Sequence, residues 1–526
     1  LAVEQLKVLY PSISAPPNGY ASPDAEGEQL SDGSAAAVER LMADDTYLEH
    51  VERLEGSLSA QAFKSSAIKQ FTDSSDAIAS FEDEWKTPEG RARLSGRTPL
   101  ALERDRILYS DELRAQSDRH HILFFANGRA TRDYAAHILR MSQISRALCG
   151  RLGLNSELAE AIALGAKVGG VPFIHVGKTA VDEWVRSHIK EIDTARRQQE
   201  GRATMRAAEQ LAFFDDKGNE LPLPTWVDEL EDTELREDVQ RYLPWAAGST
   251  SGTAYSSGQQ SYWSLSLRPF QLFPKRPFIP QTMYGIWNHS LKTRRDTAQF
   301  AHSVKLPDGN TVLRLDASHL THEAVTVRYA DDISWVIENL NEAAKAATLV
   351  GYRSEVFNDL ARQLQSSDAP TPLLTALTPT PDIGRMYTYF INDLVTTSTG
   401  LLAERGKEAP SEIQPAIAFS ETAARMHRLM VEFLKSSVYS DDRLRYRNNT
   451  LIAITQTVLD VLWESHGRAL DGYISERAHI ESWNPDEKQR AAALLDNPVH
   501  RIQACVDALS AMSDREVYRT LGLEAL

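Results

Sequence analysis

Cysteine is almost missing: Cys149 and Cys505 are the only two in 526 residues. Two thiols support neither a thiolate metal cluster nor a disulfide framework, and they fit a cytoplasmic setting. No apolar run reaches the ~20 residues that a membrane-spanning helix needs, so no membrane partner is expected. No secretory signal opens the sequence, which starts at Leu1, so a preceding residue or segment is expected. Cations are in deficit: 57 Lys and Arg face 73 Asp and Glu, for a formal charge of −16. That balance argues against a generally basic nucleic-acid surface, yet it leaves room for a local basic pocket. Strand signals are sparse too, and Thr311–Leu315 after the Asp308-Gly309 turn is one candidate.

What is there is helical. With 42% hydrophobic and 25% charged residues, the chain has the composition of one large globular domain with additions. Residues 16–37 read as a linker, and Leu41, Leu48, Val51 and Leu54 then follow helical spacing. The organising stretch is residues 155–180. Asn155 or Ser156 caps a helix, Glu157 and Glu160 favour its positive end, and Leu158, Ile162 and Leu164 supply apolar content. Gly169 and Gly170 end it, Pro172 blocks its continuation, and a second helix follows.

Upstream, His137 shares a helical face with Met141, Ile144 and Leu148, so by spacing alone it reads as a hydrogen-bonded core histidine. Downstream, Asp331, Trp335 and Glu338 fall on one helical face, and Ile333, Val336 and Leu340 on another. Residues 248–261 are rich in Gly, Ser and Thr and read as a flexible loop. Lys275 with Arg276, and Lys292 with Arg294 and Arg295, are either phosphate-binding cations or solvated charges. Leu494, Val499, Ile502 and Val506 mark an amphipathic end to the chain.

The central stretch resembles the main motif of the deoxyguanosine triphosphate triphosphohydrolases (dGTPases), within the HD superfamily of metal-dependent phosphohydrolases. In that family a helix ends in a His-Asp pair, continues through Gly and Pro-Phe-Gly-His, and finishes in Gly-Glu. This chain keeps Gly169, Pro172-Phe173, His175 and Gly177. It has Ala166-Lys167 at the His-Asp pair and Lys178 at the closing Glu. Other blocks are similar as well. They are Arg104-Asp105-Arg106-Ile107 with Arg114 after it, Thr131-Arg132 leading to His137, and Gly285-Ile286 leading to His289-Ser290. Ala330-Asp331-Asp332-Ile333 with Trp335, Asn392-Asp393 and Phe419-Ser420 complete the set.

The resemblance implies a mainly α protein. An HD-domain-like helical core is expected over residues 96–470, with helical extensions over 1–95 and 471–526. It places two of the four family metal ligands at His137 and Asp331 and removes the middle two, at Ala166 and Lys167. It puts the catalytic histidine at His175. Lys167 is a second catalytic candidate on its own chemistry, as the amine of a metal-free lyase or transferase. Ligand-binding candidates are Arg114, Lys178, His289, Lys292 and Trp335. Lys167 reverses a charge where a divalent ion would sit, so no metal cofactor is expected in the family manner. Lys167 is instead expected to pair with Asp331 or to hold a phosphate as a point charge.

The function this implies is a degenerate phosphohydrolase that binds a nucleotide or related phosphorylated small molecule. An active triphosphohydrolase using Mg or Mn is the alternative, with His120, His121, His188 or Glu338 as replacement ligands. A structural subunit in a homo-oligomer or hetero-complex is another.

Overall fold

The computed structural model describes residues 99–119, 134–199, 230–243, 255–267, 278–289, 302–305, 311–315, 320–350, 354–377, 381–405, 416–464 and 496–523. The extension expected over residues 1–95 lies outside them, as do Lys275, Arg276 and Lys292. The described residues are mainly α-helical, and all lie in the unit formed by residues 61–526.

In chain order the helices are α1 (Pro99–Leu108), α2 (Asp111–Arg114), α3 (Tyr134–Leu152), α4 (Ser156–Gly165), α5 (His175–Gln199), α6 (Thr233–Tyr242), α7 (Ser257–Leu267) and α8 (Pro280–Asn288). Then come α9 (His322–Val350), α10 (Ser354–Ser366), α11 (Thr371–Ala376), α12 (Ile383–Arg405), α13 (Glu421–Phe433), α14 (Asp442–Glu464), α15 (Pro498–Ala511) and α16 (Asp514–Thr520). Two short strands, β1 (His302–Lys305) and β2 (Thr311–Leu315), pair antiparallel, with His302 opposite Leu315 and a bulge between Val304 and Lys305. The strand expected at Thr311–Leu315 is therefore present.

Helix α4 begins as its cap dictates. Asn155 Oδ1 accepts from the Glu157 and Leu158 amides, both at 3.0 Å. From Leu158 to Gly165 every residue is buried, which fits a helix lying inside the core rather than on its surface. Small side chains let α8 come close. A Cβ on Gly165 would lie 2.4 Å from Ile286 Cδ1, and one on Gly285 would lie 2.5 Å from Ile162 Cδ1. Each isoleucine thus fills the gap that the other helix's glycine leaves.

Two hydrophobic clusters organise the described helices. One surrounds α4 and takes side chains from α1, α3, α8, α9, α12 and α13. The other joins α5 and α6 to α14, α15 and α16. The corner between α4 and α5 feeds both: Val168 and Ile174 point into the first cluster, Val171 and Phe173 into the second. The C-terminal helices, expected as an addition, share a cluster with the helix that leaves this corner.

Residues 255–261 correct the flexible-loop reading. Ser257–Leu267 is helical, and residues 257–261 are buried. Composition misled because Gly258 serves packing: its Cβ would lie 2.6 Å from the Ile286 carbonyl oxygen and 2.9 Å from that of Trp287. Residues 248–254 lie outside those described. No helix among the described residues is long and apolar enough to cross a membrane.

Helix α8 has no side-chain cap of its own. Glu103 of α1 supplies one, accepting from the Ile279 amide and the Thr282 hydroxyl. Burial pushes the Glu103 carboxyl up from 4.5 to about 7, despite those two bonds and nearby Arg106. A carboxyl with a raised folded-state pKa stabilises the fold below its unfolded value, and loses that contribution as pH rises through the folded value. The window is pH 4.5 to 7, and the loss is about 3 kcal/mol. Glu103→Gln keeps an acceptor without ionising. Urea unfolding at pH 4.5 and 7.5 is expected to show the variant gaining about that much on the native protein between the two pH values. Equal pH dependence of the two proteins would show that Glu103 is not desolvated.

Candidate functional site

Three segments meet where α3, α9 and the end of α4 converge. On α9, Asp331 and Glu338 lie two turns apart and so face the same neighbour, α3. On α3, His137 and Arg140 are one turn apart. Lys167 follows the α4 C-cap, Ala166, whose amide donates to the Ile162 carbonyl at 2.8 Å.

The side chains form one chain of alternating charge. Arg140 Nη1 bonds Glu338 Oε1. Glu338 Oε2 faces His137 Nδ1 at 2.9 Å, and His137 Nε2 faces Asp331 Oδ1 at 3.1 Å. Asp331 Oδ2 accepts from Lys167 Nζ at 2.7 Å. Tyr134 stacks on the His137 ring with centroids 5.7 Å apart. His137, Lys167 and Glu338 are buried.

The protonation states follow from these partners. Burial opposes the imidazolium, but bonds to Asp331 and Glu338 outweigh it and raise the His137 pKa. With a carboxylate at each ring nitrogen, an imidazolium satisfies both as a double donor. Burial likewise opposes the Lys167 ammonium, and Asp331 overcomes it, so its pKa is raised. Burial pushes the Asp331 carboxyl up, but Lys167 and His137 hold it well below the usual carboxylate range. Lys167 is thus a fixed cation rather than an amine nucleophile.

These residues do not fit a divalent metal ion. Both Asp331 oxygens and both His137 nitrogens are already engaged. A ligating histidine needs a free ring-nitrogen lone pair. An ammonium about 4 Å from a divalent ion would repel it by several kcal/mol in a partly screened medium. Among the described residues no group of three or more His, Cys, Asp or Glu is placed to hold a metal.

The corner carrying Lys167 is held from three sides. Gly169 donates its amide to Ser261 Oγ at 2.8 Å, and its carbonyl accepts from Tyr255 OH at 2.6 Å. Buried Arg119 donates to the Gly170 carbonyl at 2.5 Å. Asp514 Oδ1 accepts from the Phe173 amide at 2.8 Å. Phe173 and Ile174 both have positive φ, 58° and 47°. That region disfavours a β-branched residue, and Ile174 stands where the Pro-Phe-Gly-His motif has glycine. Complete burial of Ile174 and the Asp514 bond offset the strain. Gly177, in the first turn of α5, has no room for a side chain: a Cβ would lie 1.9 Å from the Pro172 carbonyl oxygen.

A second basic arm lies beside this network. Lys178 Nζ donates to Ser257 Oγ at 2.9 Å. Next to Ser257, Gly258 abuts the buried His289 ring. His289 Nδ1 bonds the Ile286 carbonyl at 2.9 Å, while its Nε2 is buried with no hydrogen-bond partner among the described residues. Burial and then the Lys167 charge push the His289 pKa down to about 3, with Asp331 and the Ile286 carbonyl opposing and Lys178 adding to the fall.

The structure thus brings together His137, Asp331, Lys167, Lys178 and His289. It does not bring Arg114 there: that side chain is 80% exposed and pairs with Asp111. His175 is exposed at the start of α5. Trp335 is half-buried, with its ring 6.0 Å from that of Tyr439 and its Nε1 lacking a hydrogen-bond partner among the described residues. Among the replacement-ligand candidates, the His188 ring lies tilted against Trp184, with centroids 4.0 Å apart, and bonds the Trp184 carbonyl. Glu338 is taken up by His137 and Arg140. His120 and His121 lie outside the described residues. Sequence reasoning missed Arg140 and Ser257, and it named Glu338 only as a candidate replacement ligand of the alternative reading, not as the second partner of His137. The i+3 spacing from His137 and the i+7 spacing from Asp331 were the available signals.

No family model matches the chain. It does match a series of curated proteins sharing one name. The chain is similar to deoxyguanosinetriphosphate triphosphohydrolase-like proteins. With that of Bartonella quintana it shares 22% identity over 433 residues, or 80% of this chain and 88% of the relative. Identity reaches 38% with that of Caulobacter sp. strain K31 over 91 residues, 17% of this chain and 23% of the relative. It is 35% with that of Wolinella succinogenes over 92 residues, 18% of this chain and 25% of the relative. The higher-identity matches therefore span about a quarter of those dGTPase-like proteins, and the Bartonella match spans most of one.

Proposed function

We propose that this chain is a dGTPase-like protein with an HD-type helical core and a degenerate centre. It binds a nucleotide or related phosphorylated small molecule and does not hydrolyse it by the metal-dependent route. The observation that supports this is the 2.7 Å contact between Lys167 Nζ and Asp331 Oδ2. An ammonium occupies the coordination space of the carboxylate that the resemblance assigns to a metal. The name that the relatives share supplies the ligand class.

The residues divide the work accordingly. His137 and Glu338 fix the orientation of Asp331, and Asp331 fixes Lys167. Lys167 offers a positive charge that needs no ion to be loaded. His175 and Lys178 are both basic, so they do not form the acid–base relay expected of a histidine and a carboxylate.

The test is release of phosphate product from each deoxynucleoside triphosphate with magnesium, manganese or cobalt, with bound metal counted in the same sample. The expected result is no metal-dependent turnover and no stoichiometric metal. Turnover that needs the metal and is lost in Asp331→Ala would overturn the proposal.

A further inference from the structure

Lys178 and His289 belong together. Lys178 reaches Ser257 Oγ, and the adjoining Gly258 abuts His289. Lys167, Lys178 and Asp331 all act electrostatically on the His289 ring. His289 is 5% exposed, and its Nε2 has no hydrogen-bond partner among the described residues. A buried imidazole nitrogen left unbonded is destabilising unless something occupies it. Its Nδ1 is committed as donor to the Ile286 carbonyl, so Nε2 presents a lone pair. That lone pair accepts a bond from a protonated phosphate oxygen or a hydroxyl.

At a metal-assisted phosphate site, carboxylates hold the cation and the cation holds the phosphates. Here the cations belong to the protein.

We propose that Lys178, Lys167 and the unpartnered Nε2 of His289 form a site for a polyphosphate chain bound without a divalent counter-ion. The ligand is the free anion, as tripolyphosphate or as the triphosphate of a nucleotide. Magnesium lowers the charge of such a ligand by chelating it, so magnesium weakens binding. This deepens the proposed function and rests on its phosphorylated ligand.

The experiment is calorimetric titration of the full chain with inorganic tripolyphosphate and with dGTP, each in EDTA and in excess magnesium. Binding in EDTA that weakens at least about tenfold in magnesium is expected. So is a loss of at least about tenfold in EDTA for Lys178→Met, the scale of one charge-assisted bond. His289→Ala, checked for an unchanged unfolding transition, is expected to weaken binding as well. If dGTP binds only when magnesium or manganese is present, the inference fails and the ligand class of the proposed function stands. If Lys178→Met binds tripolyphosphate as the native chain does, the site is wrong. If neither compound binds under either condition, nor any other deoxynucleoside triphosphate, both readings fall. Because the magnesium comparison uses only the native chain, a poorly folding variant does not spare the inference.

Discussion

Lys167→Met is expected to lower the unfolding free energy by about 3–5 kcal/mol at neutral pH, the usual loss when one partner of a buried ion pair is removed. Methionine keeps most of the volume, so the effect is electrostatic rather than a cavity. It leaves Asp331 with His137 as its only charged partner at bonding distance among those described. Lys167→Asp is expected to be worse, because it sets a second carboxylate where the ammonium was. Lys167→Met combined with Asp331→Leu is expected to recover much of the loss, since removing both charges also removes their desolvation.

The pH dependence gives an independent check. Asp331 is held below its ordinary 3.8, so its stabilising contribution is present above 3.8 and is lost as pH falls through the depressed value. The gap between native and Lys167→Met chains should therefore narrow in acid. Urea unfolding at pH 7 and pH 3 measures both effects. A loss below about 1 kcal/mol at pH 7 would show that the pair behaves as a solvated one.

Much of this centre was legible because helical spacing is legible. The cap at Asn155, the buried run of α4 and the shared face of Asp331 and Glu338 are local consequences of sequence. The pairing of Lys167 with Asp331 was legible in a different way, from a charge reversal at a position where the resemblance demands an acid. What could not be read was anything set by distant segments. Glu338 was a candidate ligand until the structure placed it against His137, 201 residues away. Residues 255–261 read as a loop because nothing local shows that α8 passes within a van der Waals distance of Gly258. Nothing in the C-terminal helices announces that Asp514 caps an amide at Phe173, 341 residues earlier.

Arg119→Met is expected to cost about 3–5 kcal/mol and to loosen the corner and the C-terminal helices together. Arg119 is 1% exposed. Its Nη2 donates to the Ser510 and Met512 carbonyls, each at 2.7 Å, and its Nη1 to the Gly170 carbonyl at 2.5 Å and Gln116 Oε1 at 2.8 Å. Each acceptor left unsatisfied costs roughly 1–3 kcal/mol. Burial lowers the Arg119 pKa to about 10, with Asp514 opposing, so the guanidinium is charged at neutral pH. Arg119→Lys is expected not to rescue, because one ammonium cannot reach the carbonyls that the planar fork spans. Amide hydrogen exchange is the decisive readout. Faster exchange confined to the end of α15, α16 and residues 169–174 would show that the arginine couples them, since local opening follows the contacts that are lost. Unchanged exchange in α16 would show that Asp514 and the shared apolar cluster hold it without Arg119. Loosening should also weaken polyanion binding, because this corner carries Lys167 and leads into α5 and Lys178, and the proposed site depends on their fixed separation.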